Sequence, residues 1–418
     1  MSGSSSQFTC NRRILAAAAA MVLAAGTASA QQRAGAVNRG EPDASLAEDA
    51  SKDHFDANIV ISPDGQRYAE IRTVQNQPAL VFYSVEDASV APRAYLIGDI
   101  DVSAVLWADD ETLILRGEGQ EIQQETVAGL QTVQLERWLT FSRKSEKFDV
   151  IDVAPQGGRQ YTYFFEGSGK LMATTPNSVG DAIFAAPEIK IIRVEASRFT
   201  GGSDEVVYSA FKADLERTRK TRLERGSGDT IDWVANANGD IVARIDFDQP
   251  RAVDKVFVKR DGQGRFDLKL ELPRAADGRR RDRIVGVDPA TGALQAWIGK
   301  SDGGFDLVGV DQNSGAVSGS LVTDADLVPI GWSFDPAKAA VTAVIHRAGG
   351  MIAHYYLDED LRALQGSLER ALGGAPVIIT STSKDGVRAI ARVLRSEGGD
   401  EFYLYDAASK RLELVSRK

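Results

Sequence analysis

The sequence predicts an all-β fold, a β-propeller, and the plainest observation behind this prediction is the stretch 377–418. It contains four short apolar runs separated by three turn signals, among them Asp385-Gly386 and Gly398-Gly399. Short runs rich in β-branched or aromatic residues, with tight-turn residues between them, are typical of antiparallel strands joined by hairpins. A four-stranded meander of about 40 residues has the size of one propeller blade.

The second observation is that the same pattern recurs upstream. The run 59–61 leads into the turn 62–65, and two further runs follow up to Val85. Turns of the same kind stand at 107–110, 236–240 and 332–335, and similar outer hairpins lie at 256–264 and 284–298. Recurrence at a blade-like interval predicts a propeller of four-stranded blades over 53–418, with seven blades preferred and eight as the alternative.

Composition supports a large soluble repeat protein. The chain has 418 residues, 43% of them hydrophobic, with 39 glycines against 13 prolines, which suits a large core connected by many tight turns. The formal net charge is −10. Such an acidic surface argues against nucleic acid and against an anionic membrane surface as partners.

The N-terminus has the three parts of a secretory signal. Arg12 and Arg13 precede the apolar run 14–25, and Ala28-Ser29-Ala30 forms a small-residue cleavage site. We expect a signal peptide over 1–30, an exported periplasmic or secreted protein, and no membrane attachment after cleavage; an uncleaved anchor is the alternative.

The remaining N-terminal residues define the expected domain organisation. Cys10 is the only cysteine and lies within the expected signal, so the mature chain has no disulfide and no thiol nucleophile. Residues 31–52 are polar and lack periodicity, which predicts a flexible lead-in before the propeller at 53–418.

One helix is expected inside the propeller. Leucines at 357, 361, 364, 368 and 372 are spaced by three or four residues, which places them on one face of a helix. Asp358 can cap its start, and Gly373-Gly374 can end it. We expect this face to pack on the sheet; docking a partner helix is the alternative.

Several segments, taken in order over nearly the whole mature chain, resemble a known family. They are Ile61-Ser62-Pro63-Asp64-Gly65, Trp107-Ala108-Asp109-Asp110-Glu111-Thr112-Leu113, Asp232-Trp233 ahead of Asn238-Gly239, Tyr355-Tyr356-Leu357 leading into 361–372, and Phe402-Tyr403-Leu404-Tyr405-Asp406. Together they resemble the N-terminal propeller of prolyl oligopeptidase-family secreted serine peptidases, especially acylaminoacyl-peptidase-like and dipeptidyl-peptidase-like members.

The resemblance implies a propeller that covers the active site of a catalytic α/β-hydrolase domain and admits only short peptides. The sequence contains no G-x-S-x-G motif, the turn that would carry the nucleophilic serine of such a domain. Two near matches, 201–205 and 315–319, have the wrong spacing and are interpreted as loop turns. We therefore predict no catalytic residue in this chain and expect the hydrolase half to be absent from it.

Histidines and acidic loops predict neither a metal nor a cofactor site. His54 lies beside the lead-in, while His346 and His354 flank the turn at 349–350 and are expected to be near cross-strand neighbours. A two-histidine metal site is the alternative, but no carboxylate nearby has ligand spacing. The loop 311–315 has oxygen ligands at alternate positions but lacks the distal glutamate of a calcium loop, so we interpret it as a turn.

Charged clusters are interpreted as surface features. Arg279-Arg280-Arg281 with Arg283 predicts a solvated hairpin loop, with an anion or the acidic patch of a partner as the alternative. The cationic segment 217–225 predicts an exposed strand or turn. No Glu-Glu pair of the kind dipeptidyl-peptidase propellers use is present; Asp204-Glu205 is expected in a glycine-rich turn.

Three functions fit these observations. The first is a non-catalytic propeller that gates a serine peptidase, with a separate α/β-hydrolase domain or short peptides as partners. The second is a stand-alone exported propeller that binds protein or peptide as a scaffold. The third is a propeller enzyme that uses acidic residues and a metal in its channel.

Overall fold

The innermost strands of seven antiparallel sheets surround a common axis, so the chain is a seven-bladed β-propeller, as predicted. The computed structural model describes residues 59–418 apart from 88, 99, 127–128, 152–168, 175–179, 194–201, 218, 261–263, 301–303, 325, 349–350 and 396–398. The expected signal peptide, the lead-in, Cys10, His54 and Gly201 lie outside the described residues.

Each blade consists of consecutive strands, numbered outward from the axis. The first three blades are β1 (Ile59–Ile61), β2 (Arg67–Val74), β3 (Gln77–Ser84) and β4 (Arg93–Leu96); β5 (Ile100–Trp107), β6 (Thr112–Thr126), β7 (Gly129–Ser142) and β8 (Lys147–Ile151); and β9 (Lys170–Thr174), β10 (Asp181–Arg193), β11 (Gly202–Asp214) and β12 (Arg219–Glu224).

Blades 4 and 5 have the same four-stranded order. They are β13 (Thr230–Ala235), β14 (Ile241–Asp248), β15 (Val253–Lys259) and β16 (Phe266–Pro273); and β17 (Arg283–Val287), β18 (Leu294–Gly299), β19 (Phe305–Val310) and β20 (Val317–Ser320). The last two blades are β21 (Pro329–Asp335), β22 (Ala340–Ala348) and β23 (Met351–Tyr356); and β24 (Val377–Thr382), β25 (Arg388–Val393), β26 (Glu401–Asp406) and β27 (Arg411–Arg417).

Blade 6 has three strands among the described residues, and the predicted helix, α1 (Glu359–Ala371), follows its third strand. Asp358 caps α1 as expected, because its side chain accepts hydrogen bonds from the backbone N–H groups of Asp360 and Leu361. Leu368 is buried against Val377 and neighbouring apolar residues of blades 6 and 7. The leucine face therefore packs on the propeller, as predicted.

One polar side chain of α1 connects blade 6 to blade 7. Gln365 is buried, and its Nε2 donates to the backbone oxygen of His354 at 3.0 Å and to that of Val377 at 2.9 Å. These two acceptors belong to β23 and β24. The helix is thereby tied to both blades.

Apolar clusters fill the space between neighbouring blades, because alternating strand residues face the two adjacent sheets. Trp138 and Phe184 meet at 5.7 Å between blades 2 and 3, and Trp297 and Trp332 meet at 5.0 Å between blades 5 and 6. All four rings belong to clusters that join adjacent sheets. The core is thus distributed around the ring.

Among the described residues, blades 7 and 1 share no strand where the ring closes, since β1 to β4 form one sheet and β24 to β27 another. The turns that begin at Ser62 and Ser383 have the same internal hydrogen bonds, in which each serine Oγ donates to an aspartate two residues later. They also contact each other: Lys384 N–H donates to the Pro63 carbonyl at 2.8 Å, and Arg388 Nη1 to the Gly65 carbonyl at 2.8 Å.

Candidate functional site

The two faces of the ring differ, and we name them by the innermost strands. The arm face is the side where these strands begin, and the turn face is the side where they end. On the turn face, hairpin turns such as 62–66 connect each first strand to the second. On the arm face, two hairpins extend well beyond the neighbouring strands.

The first extended hairpin, arm 1, belongs to blade 2. The last rung of β5 pairs Ile100 with Gly119, but β6 and β7 continue pairing as far as Thr126 and Gly129. At about 3.3 Å per residue, the seven residues beyond Gly119 extend about 23 Å. Within the described residues, neither strand of this extension has an outer neighbour.

The second extended hairpin, arm 2, belongs to the adjacent blade 3. β9 ends its pairing where Lys170 faces Ala185, whereas β10 and β11 remain paired up to Arg193 and Gly202. The extension beyond Ala185 spans about 26 Å by the same rise per residue. Two neighbouring blades thus present, on one face, backbone edges that pair with no other described strand, and such edges bind extended chains.

A charged cluster fixes the base of arm 2. Glu188 accepts hydrogen bonds from Ser209 Oγ at 2.9 Å and Arg225 Nη2 at 3.0 Å, and it also pairs with Arg222. Burial of the Glu188 carboxylate raises its pKa, but the hydrogen bonds from Arg225 and Ser209 and the nearby Arg222 charge outweigh this, so the pKa is lowered. The carboxylate therefore stays ionised and holds β10 to the loop after β12.

Beside the arms, residues at or near the starts of three innermost strands carry charge. Lys170 of blade 3 pairs with Asp232 of blade 4 at 3.1 Å, and Asp232 also accepts from the backbone N–H of Trp233 at 2.8 Å. Arg283 begins β17 of blade 5 and lies close enough to Asp232 and Asp254 for both charges to affect its pKa. We call the region of Lys170, Asp232 and Arg283 the mouth.

Below the mouth, apolar side chains narrow the space between the strands. A cavity of about 10 Å³ is lined by Met172, Trp233 and Phe334, together with Lys170 and Gly286. Trp233 is 1% exposed, and its indole Nε1 donates to the Tyr208 carbonyl at 2.7 Å. The space enclosed by these side chains is therefore small.

On the turn face, the loop 336–339 of blade 6 crosses the ring. The Pro336 carbonyl accepts from the backbone N–H of Thr174, at the end of β9 in blade 3, at 2.8 Å. The Ala339 carbonyl accepts from Val287 N–H at 3.0 Å, which ties the same loop to blade 5. Ala339 has a φ of 49° and is fully buried. A peptide entering between blades 3, 4 and 5 from the arm face would meet this loop.

A larger cavity of about 670 Å³ lies on the rim between blades 4 and 5. Val258 and Leu321 form part of its apolar lining, and Lys259, Asp267 and Asp311 are among its charged residues. Lys259 pairs with Glu224 at 2.6 Å, so part of the charge around this cavity is already compensated.

The histidines expected to be neighbours do not share a site. His346 faces Ala353 across the β22–β23 pair, while His354 faces Ile345. They are therefore one rung apart, and residues in adjacent rungs point to opposite faces of the sheet. Among the described residues, no group of three or more histidine, cysteine or acidic side chains is arranged to hold a metal ion.

Other expected surface features have mixed outcomes. The segment 219–224 is strand β12 and largely exposed, and 311–315 is a turn in which Asp311 accepts from Ser314 N–H at 2.7 Å, both as predicted. The backbone of Asp204-Glu205 lies in β11, which begins at Gly202, so the expectation of a glycine-rich turn there was wrong.

The arginine loop is only partly solvated, which corrects the prediction. Arg279 is exposed, but Arg280 donates to Asp254 at 2.6 Å, and Asp254 is 1% exposed. Sequence reasoning missed this contact, and also Lys170, Asp232, Thr174 and Pro336 at the mouth and the crossing loop. The long runs at 112–142 and 181–214 were a signal for the arms, because each exceeds the usual strand length of five or six residues.

No protein-family model and no curated protein sequence matches the chain. Solved structures do resemble it. A prolyl endopeptidase has 12% identity and a TM-score of 0.47, over 90% of this chain and 53% of that one. A puromycin-hydrolysing peptidase of Mycobacterium tuberculosis has 10% identity and a TM-score of 0.44, over 88% and 55%.

An oligogalacturonate lyase bound to manganese has 11% identity and a TM-score of 0.41, over 73% of this chain and 77% of that chain. The chain thus spans about half the length of the two peptidases. The similar structures include peptidases of the expected kind, and the likeness concerns the propeller fold alone.

Within the described residues, no helix has the length and apolarity needed to cross a bilayer.

Proposed function

We propose that this chain is a non-catalytic propeller that receives short peptides on its arm face and works with a separate serine-peptidase domain of the prolyl oligopeptidase type. The observation that carries the proposal is the geometry of that face. Two adjacent blades extend hairpins, whose edges pair with no other strand in the described part of the chain, beside a charged mouth at the starts of β9, β13 and β17.

Each part of the face suits a peptide. Unpaired strand edges offer backbone N–H and C=O groups in the spacing of an extended chain. The mouth offers fixed charges from Lys170, Asp232 and Arg283. The crossing loop at 336–339 limits how far a chain can pass between the blades, which favours short peptides.

The test is peptide binding by the purified chain and by variants without arms. Arm 1 is removed by joining Gly119 to Leu135, and arm 2 by joining Glu188 to Val207, through Asn-Gly in each case. Both joints use residues that face each other across the ladder, so a two-residue turn fits the existing register. Binding of fluorescent peptides of about eight residues is measured by anisotropy, a length chosen to match the arms.

We expect the full chain to bind such peptides and not to cleave them, and the double-arm deletion to bind at least ten-fold more weakly at an unchanged melting temperature. If the folded deletion variant bound the peptides as tightly as the full chain, the arms would not be the peptide-binding site. Cleavage by the purified chain, abolished by a serine-directed inhibitor, would show that the chain is catalytic. Loss of cleavage on chelation would instead support the metal-dependent alternative.

A further inference from the structure

Four cations gather on the arm face at the junction of blades 3, 4 and 5. They are Lys170, Arg274, Arg280 and Arg283, and the carboxylates beside them are Asp232 and Asp254. This group has two more positive than negative charges. A local positive excess is notable on a chain whose formal net charge is −10.

Both carboxylates are already occupied. Asp254 is 1% exposed and receives Arg274 Nε at 2.8 Å on one oxygen and Arg280 Nε at 2.6 Å on the other. The Arg274 guanidinium also lies 3.6 Å from the ring centroid of Phe247. Asp232 receives Lys170 on both oxygens, at 3.1 and 3.2 Å. These three cations are therefore each held by a carboxylate, although Asp254 balances only one of the two arginines that it holds.

Arg283 differs from the other three cations. Its guanidinium donates only long hydrogen bonds, at 3.4 and 3.3 Å, to the backbone oxygen of Arg280, and it has no carboxylate within 4.0 Å among the described residues. Burial, with the Arg280 charge adding to it, lowers the pKa of Arg283 to about 10. It is still a cation at neutral pH. Asp232 and Asp254 lie near enough to raise this pKa but do not pair with Arg283, so a ligand carboxylate that bonds it directly stabilises this partly buried cation.

The position of Arg283 restricts which part of a peptide reaches it. It begins β17, the innermost strand of blade 5, next to the mouth. A bound peptide cannot pass straight between blades 3 and 6, because the hydrogen bond from Thr174 N–H to the Pro336 carbonyl closes that path. A peptide lying along the arms would therefore bring one of its ends to the mouth, and a cationic mouth favours the end that carries a carboxylate.

We propose that Arg283 binds the C-terminal carboxylate of a short peptide on the arm face. The inference rests on the proposed function and adds the polarity with which the peptide binds. A guanidinium and a carboxylate form two parallel charge-assisted hydrogen bonds, which are stronger than bonds between neutral groups. Because the hydrogen bonds from Arg283 to the Arg280 carbonyl are long, the guanidinium of Arg283 is available to bind a carboxylate.

The test compares one peptide in two forms, with a free C-terminal acid and with a C-terminal amide, by fluorescence anisotropy. The protein variants are the wild type, Arg283→Met, Arg283→Lys and the control Arg279→Met. Arg279 lies on the same loop but is 69% exposed, and its described ion pair is with the exposed Asp277. We expect the wild type and Arg279→Met to bind the acid at least ten-fold more tightly than the amide.

We expect Arg283→Met to remove this preference and Arg283→Lys to keep a reduced one, because lysine retains the charge but not the planar fork. Equal affinity of the wild type for acid and amide would overturn the inference while leaving the proposed function intact. Failure to bind either form would count against the proposed function itself. If Arg283→Met does not fold, Arg283→Lys assigns the preference to this residue, and an undiminished preference in that variant would overturn the inference.

Discussion

The backbone N–H of Thr174, at the end of the innermost strand of blade 3, donates to the carbonyl of Pro336 in blade 6 at 2.8 Å. The two blades are not neighbours in the ring, so this hydrogen bond crosses its centre. The loop that makes it begins immediately after Asp335, whose Oδ1 accepts from Ala337 N–H at 2.9 Å. The geometry of the crossing loop therefore depends on this carboxyl group.

The first prediction concerns the pH dependence of this loop. Burial raises the pKa of Asp335, so its folded-state pKa exceeds its unfolded-state pKa. The free energy of unfolding then falls as pH rises from the unfolded-state pKa to the folded-state pKa, and it stays at the lower level above the folded-state pKa. Asp335→Asn keeps an oxygen acceptor but removes the charge, so we expect it to be more stable than the wild type at pH 7, with the advantage shrinking as pH falls.

The matched control is Asp385, whose pKa is shifted in the opposite direction. A hydrogen bond from Ser383 lowers the pKa of Asp385, so its contribution to stability is present at neutral pH and lost as pH falls through the folded-state pKa. Asp385→Asn should be less stable than the wild type at pH 7 and approach it in acid. Urea midpoints between about pH 3 and pH 7 test both variants. Parallel pH curves for Asp335→Asn and the wild type would contradict the prediction.

The second prediction concerns ring closure. Arg388 is 20% exposed; it donates to the Gly65 carbonyl at 2.8 Å and to Asp406 at 3.1 Å, so it joins blades 7 and 1. We expect Arg388→Met to lower the free energy of unfolding by about 1–3 kcal/mol, because it leaves the partly buried Gly65 carbonyl and Asp406 carboxylate without this donor. Arg411→Met removes an exposed pair with Glu413 and should cost under about 0.5 kcal/mol. Equal losses for the two variants would show that the contact between Arg388 and blade 1 does not stabilise the fold.

The third prediction uses two buried threonines. Thr140 is 2% exposed, and its hydroxyl has no hydrogen-bond partner among the described residues. Thr230 is 5% exposed, and its hydroxyl donates to Asp246 at 2.8 Å. Thr140→Val should therefore be neutral or stabilising by up to about 1 kcal/mol, whereas Thr230→Val should cost about 1–3 kcal/mol. Chemical denaturation of both variants measures the difference, and a loss of more than about 1 kcal/mol in Thr140→Val would reveal a partner for that hydroxyl.

The fourth prediction tests the contact between blades 4 and 5. Gly315 has a φ of 73°, and a Cβ placed there would lie 2.3 Å from the Lys269 carbonyl oxygen. Gly315→Ala should cost about 2 kcal/mol or more, since backbone strain and a clash with main chain act together. A Cβ at Gly319, four residues later, meets no atom within 4 Å. Gly319→Ala should therefore leave the thermal midpoint nearly unchanged, and a similar drop in both variants would rule out the clash.

Local signals were sufficient to predict the blades and α1. Turn residues such as Asp385-Gly386, and the cap at Asp358, act over a few residues, so their effect can be deduced from the sequence. The blade count followed from repeating these signals along the chain. The histidine pair was predicted to be close, but its register differs by one residue, which changes the face on which each ring lies.

The candidate site depends on contacts between residues distant in sequence. Lys170 and Asp232 are 62 residues apart, and Arg280 reaches Asp254 across 26 residues. No spacing in the sequence indicates such pairs, because they depend on how adjacent blades are oriented. Arginines in a glycine-containing loop suggested solvation, whereas the buried charge of Asp254 draws Arg280 inward.

Gln365 has a consequence for how the ring meets other molecules. Its amide bonds the carbonyls of His354 and Val377, so helix α1 covers this sector where the other blades present an outermost strand. A second molecule cannot add a strand to blade 6 without first displacing the helix. Association of two molecules through sheet pairing is therefore directed to other sectors of the rim.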